Sequence, residues 1–251
     1  EHWTIYQPQN KDVLVSRLKK KIVKIANNAE LIMPVSLDLQ HCMEGHGVHN
    51  RFKVIYNLVN TDMFKLGTPF SAKKQILHIS TLRDEAKNFS GILRTIERLR
   101  QQRDDFELHV IHDYEAPEFK AFVEEHHLED CVIFHGKKAS AEVAEAYQKA
   151  DFFVLFSNFE NLPCVIVEAF ASGVPVLSTS VGGIAEILSP ERGILIHQGD
   201  EDALLKGMIQ MLDHSSEYDR KAIRQYALST FSNDIIGRQI FEAYKEVINY
   251  S

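Results

Sequence analysis

From residue 75 onward, short unbroken apolar runs alternate with longer segments of mixed character. The runs are Ile76–Ile79, Phe106–Ile111, Cys131–Phe134, Asp151–Phe156, Val174–Leu177 and Gly193–Ile196, and helical stretches at 88–103, 117–127, 140–149, 163–172 and 183–188 lie between them. Strands separated by helices predict βαβ units and a parallel sheet. The runs are continuously apolar rather than alternating, as expected of strands covered by helices on both faces. Helices at 201–213, 215–229 and 234–248 finish the chain, with Ser232-Asn233-Asp234 supplying N-cap residues for the last. The expected fold is α/β, a doubly wound parallel sheet complete within residues 72–231. Ligands in such sheets sit at the carboxyl ends of strands, beside helix N-termini.

The first 60 residues have a different texture. Residues 12–28 read as an amphipathic helix, because Leu14, Leu18, Ile22 and Ile25 fall three or four apart. Residues 30–36 form a strand-like run, 37–45 a second helix ending at Gly45, 53–56 a short strand, and 57–69 a connector containing Asn60, Gly67 and Pro69. The basic run Arg17–Lys24 reads as a solvated helix face or as a contact for anionic lipid.

Composition narrows the function classes. Of 251 residues, 28 are Lys or Arg and 35 are Asp or Glu, giving a net charge of −7. That balance argues against a nucleic-acid footprint, which needs a basic surface. Cys42, Cys131 and Cys164 form no CxxC pair and no Cys/His cluster at zinc spacing, so a reduced, cytoplasmic setting is expected. No apolar run reaches the roughly 18–20 residues of a membrane span, and Glu1-His2-Trp3 does not open a signal peptide. A start without Met is expected of a piece of a longer enzyme.

The chemistry concentrates in Ser157–Val176. A buried strand ends at Phe156, a polar turn carries Glu160, and Pro163 suits the first turn of a helix running to Gly173. Glu168 lies on that helix. One carboxylate thus stands at a strand end, another on the helix behind it, and the N–H groups of Asn161, Leu162 and Cys164, flanking Pro163, which has none, surround the helix start. A carboxylate can accept from ribose hydroxyls, and helix N-terminal amides favour phosphate. Taken alone, two such carboxylates are more often solvated surface charges.

The wider pattern closely resembles the retaining glycosyltransferases of the "glycosyl transferases group 1" family, which have two Rossmann-like domains in the GT-B architecture. Glu160 and Glu168, separated by seven residues and followed by Ala171-Ser172-Gly173-Val174-Pro175-Val176, carry the resemblance. Ser178–Ile187, with Gly182, Gly183 and Glu186, Arg192–Ile196, and Val54–Phe64 extend it in family order. The resemblance implies that residues 1–60 are the tail of an otherwise missing N-terminal acceptor domain with its linker. Residues 61–231 would be the nucleotide-sugar donor domain, and 232–251 a helix crossing back toward the acceptor domain.

The same resemblance implies the site. Glu168 would bind the nucleotide ribose and Glu160 the transferred sugar, while the Asn161–Cys164 amides would meet sugar and diphosphate. The family's diphosphate clamp is an Arg after the first strand and a Lys six residues later. Lys87 matches the Lys, Thr81 stands where the Arg is usual, and Arg83 is the alternative cation. Arg binds phosphate bidentately and offsets leaving-group charge. The glycine-rich turn usual after the next strand is replaced by His112-Asp113-Tyr114-Glu115. Gly136 and Lys137 would contact the base, Gly182 and Gly183 would bring backbone close to donor or acceptor, and His2 would stand near the transferred sugar. No metal or other cofactor is expected, since no DxD-type motif sits at a strand end; Asp104-Asp105 precedes one.

The expected function is transfer of a sugar from a nucleotide-diphosphate sugar to a glycan or lipid-linked acceptor, in surface polysaccharide or glycoconjugate synthesis. The expected place is the cytoplasm, at the inner membrane face where peripheral contact applies. A nucleotide-sugar epimerase of the same architecture and a non-catalytic nucleotide-binding module are the alternatives. A phosphorylase would need a pyridoxal-phosphate lysine, which the motif order does not suggest.

Overall fold

A computed structural model describes residues 16–69, 71–113, 115 and 117–249. After α1 (Ser16–Asn27) and α2 (Leu37–Gly45) come β1 (Lys74–Ser80), α3 (Asp84–Lys87), α4 (Phe89–Arg100), β2 (Phe106–His112), α5 (Pro117–Glu125), β3 (Val132–Gly136) and α6 (Ser140–Lys149). Then follow β4 (Phe152–Leu155), α7 (Cys164–Ala171), β5 (Val176–Thr179), α8 (Ile184–Ile187), β6 (Gly193–Ile196), α9 (Glu201–His214), α10 (Arg220–Phe231) and α11 (Asn233–Ile248). The expected strand–helix alternation is present.

All strand pairs in the sheet are parallel, in the order β3-β2-β1-β4-β5-β6. Connections leave β1 toward one edge and β4 toward the other, so the order reverses between these two strands. That crevice is where a doubly wound sheet binds ligands.

Alternate residues explain the unbroken apolar runs. Leu77, Phe153 and Leu155 pack with α6, α7 and α10, whereas Ile76, Phe152 and Val154 pack with α4, α5 and α9. Each fully buried side chain of this size contributes about 1.5–3 kcal/mol. Asp200 caps α9 through the Ala203 amide, and Asp219 caps α10 through those of Lys221 and Ala222.

The early segment differs from its sequence reading. Neither 30–36 nor 53–56 forms a regular strand; the two segments run side by side through a parallel bridge, Ile32 to Phe52, with the Lys53 amide donating to the Ile32 carbonyl and the Ile55 amide to the Pro34 carbonyl, both at 3.0 Å. Ile32, Val35, Leu39, Met43, Val48, Val59 and Phe64 are instead buried in the same cluster as Ile166, Ile184 and Phe231. Their side chains serve that core, while the backbone pairing stops after a few bonds. Ser232 precedes α11 but makes no side-chain cap bond, and its backbone bridges Val59. On α11, Ile236 and Ala243 pack with Ile55, Leu31 and Met33, and Lys53 pairs with Glu246 at 2.6 Å.

Candidate functional site

Two loops, one after β1 and one after β4, build the site at the point where strand order reverses. After Ser80 the chain turns sharply, with Leu82 at φ +55°, a conformation uncommon for a side-chain-bearing residue. A directional chain of hydrogen bonds holds this turn. The Val154 carbonyl can only accept, so His78 donates to it from Nδ1 at 2.9 Å. His78 Nε2 then accepts from the Ser80 hydroxyl at 2.8 Å, and Ser80 Oγ accepts the Leu82 amide at 3.1 Å. His78 is fully buried against Phe89. Burial pushes its pKa down to about 4, so it is neutral and this chain stays intact near pH 7.

The turn delivers α3. Arg83 stands at its N-cap, exposed and without an ion-pair partner among the described residues. Lys87 ends α3, and Asp84 fixes the start of α4 by accepting from the amide and hydroxyl of Ser90. The loop after β4 is tied to this unit, since the Asn158 amide donates to the Ala86 carbonyl at 2.8 Å and its side chain to that of Glu85 at 3.0 Å. Lys87 and Glu160 thereby meet across 73 residues as an ion pair, their side chains 19% and 10% exposed. Ser157 Oγ donates to the same Glu160 oxygen at 2.8 Å.

The loop of Gly182 and Gly183 closes over this turn. The Gly183 amide donates to the Asn161 carbonyl at 2.6 Å. A Cβ on Gly182, at φ +54°, would lie 2.1 Å from the Glu160 carbonyl oxygen. The close approach that demands glycine is thus made to the Glu160–Asn161 backbone itself. Asn57 donates to the Leu162 carbonyl at 2.7 Å. Pro163 precedes α7, and Cys164 opens it with an exposed residue whose thiol pKa is raised by burial of the sulfur. The amides of Cys164 and Val165 that open α7 have no carbonyl partner within the helix, while that of Ile166 donates to the Pro163 carbonyl at 3.1 Å.

Glu168 lies one helical turn beyond Cys164. Burial raises its carboxyl pKa, and the one hydrogen-bond partner described for it is Tyr147, at 3.4 Å. Gly136, at φ +65°, and the exposed Lys137 lie at the end of β3. The strand order sets them two strands from β1, about 10 Å away at ~4.8 Å per strand. They do not touch the Lys87–Glu160 pair. His2 lies outside the described residues.

Sequence reasoning assigned no role to Tyr147, His78 or Asn158, and it did not see what Glu186 does. Glu186 accepts from the Leu37 and Asp38 amides at 3.0 and 2.9 Å, capping α2 together with Ser36. Ser36 directly before the helical stretch is the kind of residue that caps a helix, a local signal that sequence reasoning left unused; its distant acidic partner has no local signal. A cavity of about 330 Å3 opens elsewhere, between α6 and the face of β1–β3, lined by Leu77, His109, Ile111, His135 and Lys149 among others. None of Arg83, Lys87, Glu160 or Glu168 lines it. The candidate site is defined by converging side chains, not by an enclosed cavity. Among the described residues no three His, Cys, Asp or Glu converge as a metal cluster, and no helix is long and apolar enough to cross a membrane.

Comparison with known proteins adds three findings. The family model "Glycosyl transferases group 1" matches residues 60–229. Curated relatives include the N-acetyl-alpha-D-glucosaminyl L-malate synthase of Bacillus anthracis, 28% identical over 78% of this chain and 54% of that protein. The amylovoran biosynthesis glycosyltransferase AmsK of Erwinia amylovora is 28% identical over 89% of this chain and 58% of its own length. The chain therefore spans a little over half the length of these relatives. The same fold is found in the sucrose-phosphate synthase of Thermosynechococcus elongatus, with TM-score 0.83, 20% identity, and 98% and 65% coverage of the two chains. It recurs in the Anabaena protein HepE solved with UDP-glucose, with TM-score 0.82, 21% identity, and 96% and 70% coverage.

Proposed function

We propose, for a chain that belongs to the glycosyl transferases group 1 family, that it forms the donor-binding part of a glycosyltransferase. The enzyme would move a sugar from a nucleoside-diphosphate sugar to a glycan or lipid-linked acceptor, with retention of anomeric configuration and without a metal. Synthesis of surface polysaccharide or glycoconjugate is the setting that relatives such as the amylovoran enzyme suggest. The observation that carries the reading is the meeting of Lys87 and Glu160, beside the amides that open α7, at the β1/β4 reversal point.

In this reading Lys87 and Arg83 balance the diphosphate as it becomes the leaving group, and the first-turn amides of α7 add fixed donors. Glu168 accepts from the ribose hydroxyls, Glu160 binds the transferred sugar, and Gly136 and Lys137 offer backbone to the base. Gly182 and Gly183 hold the Glu160 turn in shape. The exposed Lys20, Lys21 and Lys24 of α1 suit peripheral contact with an anionic membrane surface at its cytoplasmic side.

Calorimetric titration with UDP, GDP and ADP in the presence of EDTA tests this. Binding of one nucleotide, weakened in both Lys87→Ala and Glu168→Ala, supports the donor site and identifies the base. Binding that needs a divalent metal, or that ignores both substitutions, refutes it.

A further inference from the structure

We infer that Tyr147 is a positioning residue that holds the Glu168 carboxylate toward the nucleotide ribose, and so sets preference for ribonucleotides. The inference rests on the donor-site reading above and adds the residue that makes Glu168 effective.

Tyr147 belongs to α6, not to the family signature, and its side chain is fully buried. Its ring is wedged between Phe64 and Phe153, with centroids 5.9 and 5.7 Å away, so the hydroxyl has a fixed location. That hydroxyl lies 2.8 Å from the Val165 carbonyl oxygen and 3.4 Å from Glu168 Oε2. A phenol has one proton to give. The i to i+4 register of α7 already supplies the Val165 carbonyl with the Ala169 amide. Turning the proton from Val165 to an ionised Glu168 therefore strands no acceptor. Burial, and then the nearby Glu168 charge, raise the phenol pKa well above its usual value, so it remains a donor.

Glu168 has complementary needs. It is half-buried, its pKa is raised by desolvation, and the contact with Tyr147 is what opposes that rise. Among the described residues Tyr147 is its hydrogen-bond partner, through Oε2, which leaves Oε1 to accept from a ligand. A carboxylate anchored by one oxygen and offering the other is organised to receive a vicinal diol. Without the phenol, Glu168 would be less ionised and free to change rotamer.

The test compares the parent chain, Tyr147→Phe, Glu168→Ala and the double variant by calorimetry. The probes are the nucleoside diphosphate that binds among UDP, GDP and ADP, and its 2′,3′-dideoxy counterpart. Tyr147→Phe is expected to weaken ribonucleotide binding about three- to tenfold, the net range of one ordinary intramolecular hydrogen bond, as suits a contact of 3.4 Å. It should leave the dideoxy analogue unchanged and have no effect once Glu168 is Ala. The binding loss on acidification should also set in at higher pH in Tyr147→Phe. Equal losses with both probes, or a loss that persists in the Glu168→Ala background, would mean a merely structural role and overturn the inference. Unchanged ribonucleotide binding overturns it too, while the donor-site reading stands. No binding of any nucleotide to the parent chain overturns both.

Discussion

Glu160→Gln should make this chain bind a nucleoside diphosphate more tightly, although it removes a residue of the candidate site. Without ligand, Lys87 is engaged by Glu160, in an ion pair only 19% and 10% exposed. A diphosphate arriving at Lys87 must share that ammonium and approach the carboxylate's negative charge. At an effective dielectric of ~20, unit charges ~4 Å apart interact by about 4 kcal/mol before desolvation is counted. Net coupling in a sheltered pair lies between the few tenths of an exposed bridge and the several kcal/mol of a fully buried one. About 0.7–2 kcal/mol of competition is reasonable, equivalent to a gain of about three- to thirtyfold in affinity. Glutamine keeps the shape and still accepts from Ser157 and Lys87, so the turn should survive. Calorimetry with the bare diphosphate reads the gain. The corresponding sugar nucleotide should gain less, since Glu160 would also lose its bond to the sugar. In a Lys87→Ala background the part of the gain that comes from freeing the ammonium should vanish, leaving the relief of carboxylate repulsion. Unchanged or weaker diphosphate binding by folded Glu160→Gln would refute the idea that Lys87 serves the phosphates.

The β4–α7 stretch was readable because its physics is local. A strand buried on both faces must be apolar throughout, Pro163 suits a helix start, and Gly173 at φ +71° suits a helix end. That the site lies at strand ends followed from strand–helix alternation, whereas its place between β1 and β4 came from the strand order of the folded sheet. What escaped depends on partners far away in the chain. Ile32 and Ile55 look like strand residues and do share a short parallel pairing, yet pattern cannot show that their side chains plug a core completed by residues beyond 160. Tyr147 reads as one more core aromatic until its hydroxyl is found beside Glu168, 21 residues on. Glu186 reads as part of a motif, while its capping partners lie nearly 150 residues earlier. Departures at Thr81 and at His112–Glu115 were visible as departures. The His78–Ser80–Leu82 chain that shapes the turn around Thr81 was not, since no spacing rule encodes it.

Further outcomes follow from the same geometry. Lys87→Ala should lower diphosphate affinity about tenfold or more, and Arg83→Ala should lower it less, as an exposed guanidinium is already solvated; equal affinities by calorimetry would remove both from the clamp. Gly182→Ala should cost about 2–4 kcal/mol in urea unfolding, because a methyl 2.1 Å from the Glu160 carbonyl forces the turn apart; a stability change below 1 kcal/mol would show that the turn yields easily. Glu186→Ala should cost about 1–2 kcal/mol, by stripping the Leu37 and Asp38 amides of their acceptor. Stability should also fall on acidification in a way that belongs to His78. Its folded pKa of about 4 is below the ordinary 6.5, so the unfolded chain takes up a proton first. The neutral ring therefore contributes no pH dependence above ~6.5, and stability declines as pH drops from there toward 4, by up to about 3 kcal/mol. His78→Gln retains a donor for Val154 and does not titrate, so its stability should change less between pH 7 and pH 4.5 than the parent's. If the two chains lose stability in parallel over that interval, burial does not hold the ring neutral, and its hold on the Leu82 turn would have to be reassigned.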